Sequence, residues 1–192
     1  MFIGLDLGTS SLKGIVIDDA QNICAEATAP LQVARPYDGW SEQTPQDWLD
    51  AAEAVMVALS GQVDISAVRA IGLSGHMHGA TLLDAHDAVL RPCILWNDTR
   101  SAHEAAQLDA DPIFRRLTGN IVFPGFTAPK VAWVRTHEPS IFAQIAKVLL
   151  PKDYLRLWLS GEHVAEMSDA AGTSWLDVGQ RDWSDRLLAA TG

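Results

Sequence analysis

Gly4-Leu5-Asp6-Leu7-Gly8-Thr9-Ser10-Ser11-Leu12-Lys13 sets one carboxylate inside an apolar run, immediately ahead of a turn made of glycine and hydroxyls. Phe2 to Leu7 read as a buried strand, Gly8 to Ser11 as a tight turn, and Leu12 to Ile17 as the returning strand of a hairpin. A buried Asp6 without a partner is costly. Its expected partner is a magnesium ion or that ion's waters, because this hard cation takes oxygen ligands and arrives with nucleotide phosphates. Gly8 lets the backbone approach a phosphate, while Thr9, Ser10 and Ser11 offer hydroxyl and N–H donors and Lys13 offers a cation. The other reading of the same residues is an Asx-turn that caps a hairpin and binds nothing. Neither G-x-x-x-x-G-K-[ST] nor a G-x-G-x-x-G after a strand occurs, so the two common glycine-rich phosphate loops are excluded.

The chain has 192 residues, 48% hydrophobic and 20% charged, which is enough to bury a sizeable core as one domain. A formal net charge of -10, with no cluster of Lys and Arg to offset it, argues against a nucleic-acid or anionic-membrane footprint. Cys24 and Cys93 stand far apart without the companions of a zinc site, and read as buried thiols in a reducing compartment. Residues 1–20 lack a basic stretch followed by an uninterrupted apolar one, and no window approaches the about 18 apolar residues of a membrane span. The expected location is the cytoplasm.

Along the chain, Ile23 to Leu31 continues the meander as a third strand. A helix then follows, with Thr44 as cap, Pro45 at its first position and Asp47 in its first turn; Trp48, Ala52, Val55, Met56 and Leu59 share a face and Gly61 ends it. Val68 to Ser74 and Ala80 to Leu83 read as strands flanking the loop Gly75-His76-Met77-His78-Gly79. Cys93 to Trp96 reads as another strand, leading into a helix of about ten residues that begins near Ser101. Helices are also expected at Pro129 to His137, Pro139 to Ile145 and Lys152 to Leu159, the last preceded by the short strand Val148 to Leu150. Alternating strands and helices predict a layered α/β domain with no internal boundary.

Two loops carry further chemistry. His76 and His78 could share a metal, yet no third ligand with sensible spacing accompanies them. They could instead be structural, or line a polyol site in which imidazole bonds hydroxyls and Met77 packs on the carbon skeleton. Trp96-Asn97-Asp98-Thr99-Arg100 offers an apolar platform beside amide, carboxylate and guanidinium; the plain alternatives are a core tryptophan and an Asp98–Arg100 pair.

Read in order, Asp6-Leu7-Gly8-Thr9-Ser10, Trp40-Ser41-Glu42-Gln43, Met77-His78-Gly79, Trp96-Asn97-Asp98, Phe126-Thr127-Ala128-Pro129-Lys130, Leu150-Pro151-Lys152-Asp153-Tyr154-Leu155 and Ser168-Asp169-Ala170-Ala171-Gly172-Thr173 resemble the N-terminal domain of the FGGY carbohydrate kinase family. Asp6 to Lys13 resembles the phosphate hairpin shared by actin, Hsp70 and sugar kinases. Met77-His78 stands where glycerol kinase relatives carry an Arg-Glu pair. The resemblance implies an α/β, ribonuclease H-like (actin-like ATPase) domain, a mixed sheet flanked by helices. It implies that residues 1–192 are the sugar-side lobe, incomplete, with the C-terminal lobe elsewhere.

The implied reaction moves the γ-phosphoryl of ATP to O5 of D-xylulose, with ATP and Mg2+ as cofactors. Asp6 would be the catalytic acid linked to magnesium through water. Thr9, Ser10 and Lys13 would face the nucleotide phosphates, and Met77, His78, Trp96 and Asp98 would line or brace the sugar pocket. The remaining motifs are expected to be scaffold, and the general-base Asp lies beyond residue 192, so the chain alone is expected to be inactive. The implied partners are D-xylulose, ATP, the C-terminal lobe of the same enzyme and a second copy in a homodimer, with no nucleic acid and no membrane. His76 departs from the Gln expected before Met77-His78, which opens the question of pentulose preference. A kinase of another pentulose such as ribulose, a nucleotide-switched module of the actin or Hsp70 type, and a purely structural α/β domain are the rival readings.

Overall fold

Strand alternation in the opening meander decides which face of the sheet is covered. A computed structural model describes residues 1–192. In it β1 (Phe2–Leu7), β2 (Ser11–Ile17) and β3 (Ile23–Pro30) pair antiparallel as a meander, with Asp6 opposite Lys13. Ile3, Leu5 and Leu7 of β1 and Leu12 and Val16 of β2 point to one side and are buried. After the two-residue β4 (Glu42–Gln43), helix α1 (Pro45–Ser60) covers that side with Trp48, Ala52, Val55 and Leu59 at helical spacing. Thr44 holds the N-cap position of α1 but makes no side-chain cap bond. Gly14 lies beneath the helix: a Cβ there would overlap Val55 Cγ1 and fall 3.0 Å from Leu59 Cδ1.

Strand β5 (Ala70–Gly75) then joins β1 in parallel, Leu5 beside Leu73 and Asp6 beside Ser74, giving the order β3-β2-β1-β5. The sheet is mixed, as expected, and the outer edge of β5 pairs with no strand. The expected burial of Asp6 is corrected. The two-residue period that buries Leu5 and Leu7 under α1 turns Asp6 to the face α1 does not cover, and its carboxylate is exposed. Cys24 is likewise exposed, on the edge strand β3, whereas Cys93 is buried.

The second half builds its own core. It runs through β6 (Thr81–Leu83), β7 (Cys93–Ile94), α2 (Ala102–Asp109), α3 (Pro112–Thr118), α4 (Thr127–His137), α5 (Pro139–Phe142), β8 (Lys147–Leu149) and α6 (Pro151–Ser160), then α7 (Met167–Ala170), β9 (Leu176–Asp177), β10 (Asp182–Trp183) and α8 (Asp185–Thr191). Strands pair as β6 with β8, β4 with β7, and β9 with β10, all antiparallel. Leu82, Ile94, Ile113, Phe114, Val131, Val134, Trp175 and Leu187 pack together there. Helix α4 starts two residues earlier than its pattern predicts, and α5 stops at Phe142 rather than Ile145. The sequence reading did not anticipate α3, the β9–β10 hairpin or α8. No helix is long and apolar enough to cross a membrane.

Gly14→Val should destabilise the fold by about 2 kcal/mol, because the added methyls meet α1 in a packed layer. Urea unfolding reads this as a lower midpoint at unchanged slope; an unchanged midpoint would mean that α1 does not rest on β2.

Candidate functional site

Because β1 and β5 run parallel, their carboxyl ends lie side by side, which is where open α/β sheets place ligands. The His76 N–H donates to the carbonyl of Leu7 at 2.8 Å, tying the loop after β5 to the end of β1. Gln43 Nε2 donates to the carbonyls of Thr9 (2.7 Å) and Gln32 (3.1 Å), and Trp48 Nε1 of α1 donates to Gln43 Oε1 at 3.1 Å. The hydroxyl turn is therefore held from beneath by the core. Trp96 Nε1 donates to Thr9 Oγ1 at 3.1 Å, which brings the Trp96-Asn97-Asp98 segment onto the same turn. Met77 and Trp96 remain 46% and 44% exposed, large apolar side chains left open at this end of the sheet.

A cleft of about 270 Å³ opens here between His78, Trp96, Asn97, Phe123 and Phe126. Larger hollows exist elsewhere, one beside the free edge of β5 near Ile71 and Arg156, another near Trp175 and Leu188. Neither touches the strand ends or the hydroxyl turn; a third, of about 430 Å³, reaches the end of β5 at Ser74 and Gly75 but is walled by Lys152, Glu166 and Asp169 and not by the turn. The carbonyl of His78 accepts from Lys130 Nζ at 2.7 Å and from Thr127 Oγ1 at 3.2 Å. Burial pushes Lys130 down to about 7. Burial first, and then the Lys130 charge, hold His76 and His78 down at about 4, so both imidazoles are neutral at physiological pH. His76 lies edge-on to Trp48 with ring centroids 5.5 Å apart, and both of its ring nitrogens are buried without a partner.

Asp98 serves the site from behind. It is 1% exposed; its Oδ2 accepts from the Ser41 N–H and Arg100 Nη2, both at 2.6 Å, and its Oδ1 accepts from the Arg100 N–H and Nε, both at 2.9 Å. All its lone-pair directions are committed to the protein, so it braces the Trp96 loop and leaves no oxygen for a sugar hydroxyl. Arg100 reaches on to Glu42 at 2.7 Å and lies 3.5 Å over the ring of Trp40, and Arg91 joins the same Glu42 oxygen at 2.6 Å. Lys152 plays a similar part below, with ion pairs to Asp153 and Asp169, both at 2.9 Å, that fasten α7 to α6.

The hairpin residues remain accessible. Asp6 and Ser10 are exposed, and Lys13 makes an open pair with Glu26 at 3.4 Å, a contact of little energetic weight that leaves it free to turn. No three His, Cys, Asp or Glu side chains converge on a metal position, which removes the His76–His78 metal reading. A lone exposed carboxylate beside hydroxyl donors does fit magnesium, which is commonly held by one or two carboxylates plus waters and nucleotide phosphates. Sequence reasoning passed over Lys130 as scaffold. Its signal was a cation set inside the buried run Thr127 to Val134 of α4, a position lysine seldom takes without a purpose.

A mixed sheet in this order, flanked by helices, is the actin-like ATPase fold; a glycerol kinase from Plasmodium falciparum shares it at a TM-score of 0.88 with 18% identity. The model of the FGGY family of carbohydrate kinases, N-terminal domain, matches residues 1–192, and the chain belongs to that family. It is 56% identical over 191 residues to the xylulose kinase of Escherichia coli (strain K12), covering 99% of this chain and 40% of that protein. The xylulose kinase of Bacillus subtilis (strain 168) is 40% identical over 198 residues, covering 99% of this chain and 39% of the relative. Among solved structures, a xyloylose kinase from Brucella ovis superposes with a TM-score of 0.98 at 64% identity, covering 99% of this chain and 40% of that one. The chain thus spans about 40% of the length of the curated relatives it matches.

The two neutral imidazoles set a pH dependence of stability. In the unfolded chain they take up protons near 6.5, and in the folded chain only near 4. The folded state binds fewer protons between those values, so stability is complete above about pH 6.5 and falls as pH drops toward about 4. Lys130 is almost fully protonated in both states below about pH 6, so it adds to the slope only at the upper edge of that window, and equally in both proteins compared. Unfolding midpoints from about pH 6.5 to about pH 4.5 should fall more steeply for the native sequence than for His76→Gln, the comparison cancelling the carboxylates. Parallel slopes would show that His76 is not held neutral.

Proposed function

We propose that the chain is the sugar-side lobe of a xylulose kinase, which transfers the γ-phosphoryl group of ATP to O5 of D-xylulose and yields D-xylulose 5-phosphate and ADP. The observation that carries this reading is the Trp96–Thr9 bond, which seats a hydroxyl-rich phosphate turn and an imidazole–indole cleft on one end of one sheet. The names of the relatives support the choice of sugar. Phosphoryl transfer needs an attacking hydroxyl, a metal and a γ-phosphate held in line, and it needs little covalent chemistry from the protein.

In this assignment Thr9, Ser10 and Lys13 face the phosphates, and Asp6 orients magnesium through its water shell. When bound, that ion neutralises charge developing on the transferred group. Met77, His78 and Trp96 hold the ketose with O5 toward the hairpin, and the neutral imidazole of His78 bonds a hydroxyl. The proton of O5 passes to an Asp in the remaining part of the enzyme, the P–O bond to ADP breaks as the bond to O5 forms, and ADP leaves. The second lobe completing the nucleotide site belongs to that same remainder, so residues 1–192 by themselves are inactive. The setting is the cytoplasm, where ATP is available.

Asp6→Ala in the full-length protein should abolish turnover while D-xylulose binding, followed by thermal shift, stays within about twofold of the native value. Retained turnover would remove Asp6 from the mechanism. Stabilisation by ATP alone, with no response to any pentulose, would favour a nucleotide-switched module instead.

A further inference from the structure

His78 is gripped at both ends of the residue, by groups to which the proposed reaction gives no part. Its φ of 64° lies in the left-handed region, which a residue with a side chain occupies at a cost and keeps only when its surroundings hold it there. The holding bonds converge on its carbonyl oxygen, from Lys130 Nζ and Thr127 Oγ1. Lys130 is 0% exposed, and its second bond goes to the carbonyl of Gly125 at 2.6 Å. A buried cation normally sits on a carboxylate. This one bonds two neutral carbonyls, one in each of the loops that wall the cleft.

The imidazole is fixed at the other end. Its ring lies against Phe126, centroids 4.7 Å apart, and against the backbone of Gly172. A Cβ at Gly172 would overlap both Cε1 and Nδ1 of the ring, so the seat exists only because position 172 has no side chain. Nδ1 is buried there close against the Gly172 backbone, which leaves Nε2 as the ring nitrogen not closed off.

Resting on the reading of this cleft as the pentulose site, we propose that Lys130 and Gly172 are positioning residues that clamp His78 between them and so aim its Nε2 at a sugar hydroxyl that neither residue touches. Hydrogen bonds weaken steeply when the donor angle is lost, so a small rotation of the ring is enough to forfeit the contact. The segment Ser168 to Thr173 thereby gains a role: α7, pinned to Lys152 through Asp169, delivers Gly172 against the ring.

The test is calorimetric titration of the full-length protein with D-xylulose, run beside a titration with ADP and magnesium. Lys130→Met and Gly172→Ala should each weaken D-xylulose by about tenfold, the scale of one lost charge-assisted or well-aligned bond, while ADP affinity stays within about twofold. In a His78→Ala background neither substitution should add a further loss, a non-additivity that general loosening of the fold would not produce. Gly172 has a backbone conformation open to alanine, so its variant carries the test if Lys130→Met does not fold. Native D-xylulose affinity in Gly172→Ala, or losses that add fully to that of His78→Ala, would overturn the clamp. A native protein that binds ADP and no pentulose overturns the kinase reading instead.

Discussion

The parallel pairing of β1 with β5 is the constraint on which everything else rests. It is a non-local contact that brings Leu7 and Gly75 level, and the bond from the His76 N–H to the Leu7 carbonyl extends the ladder one step into the loop. Had β5 run the other way, the loop of His76 to His78 would lie at the far end of the sheet from the Gly8 turn. Parallel register needs a long crossover between the strands, and α1 supplies it, packing its apolar face on the meander as it passes, while α6 packs against β5. The same helix contributes Trp48, whose indole N–H fixes Gln43 and through it the Thr9 carbonyl.

A second layer of organisation is ionic. Glu42, Asp98, Arg100 and Arg91 form a nearly dry cluster between the two hydrophobic cores, with Trp40 stacked on Arg100. Buried ion pairs of this kind are weak contributors to net stability, but removing one member leaves an uncompensated charge. Their effect here is geometric: four bonds to one carboxylate fix the Trp96 loop in a single position against Thr9. The Lys152 cluster does the same for α7, which leads into Gly172 behind the His78 ring.

How much of this was legible in the sequence differs from element to element. The opening hairpin and α1 were readable because period-two and helical spacing both ran long enough to be unambiguous. The burial of Asp6 was misjudged because an apolar strand was taken to be covered on both faces, and only the sheet's partners reveal that one face is open. Helix α3 carried its own signals, Asp111 bonding the Ile113 N–H, Pro112 at the first position and Gly119 at φ 69°, yet seven residues were too few for the apolar pattern to stand out. At the site, the motif residues were all nameable. Their division of labour was not, because whether Asp98 faces ligand or protein depends on Ser41 and Arg100 meeting it from separate segments. Lys130 and Gly172 were invisible as a pair, since they reach His78 from elements far apart in the chain.

The unpaired outer edge of β5 has a bearing on how such a polypeptide behaves in the tube. Six residues, Ala70 to Gly75, present amide and carbonyl groups along a border with no bulge, proline or charge within it to repel a neighbour. Borders of that kind template the addition of further strands, so residues 1–192 handled in isolation and at high concentration are disposed to stick side by side into higher-order species. What covers that margin therefore bears on how the polypeptide associates alongside its net negative charge.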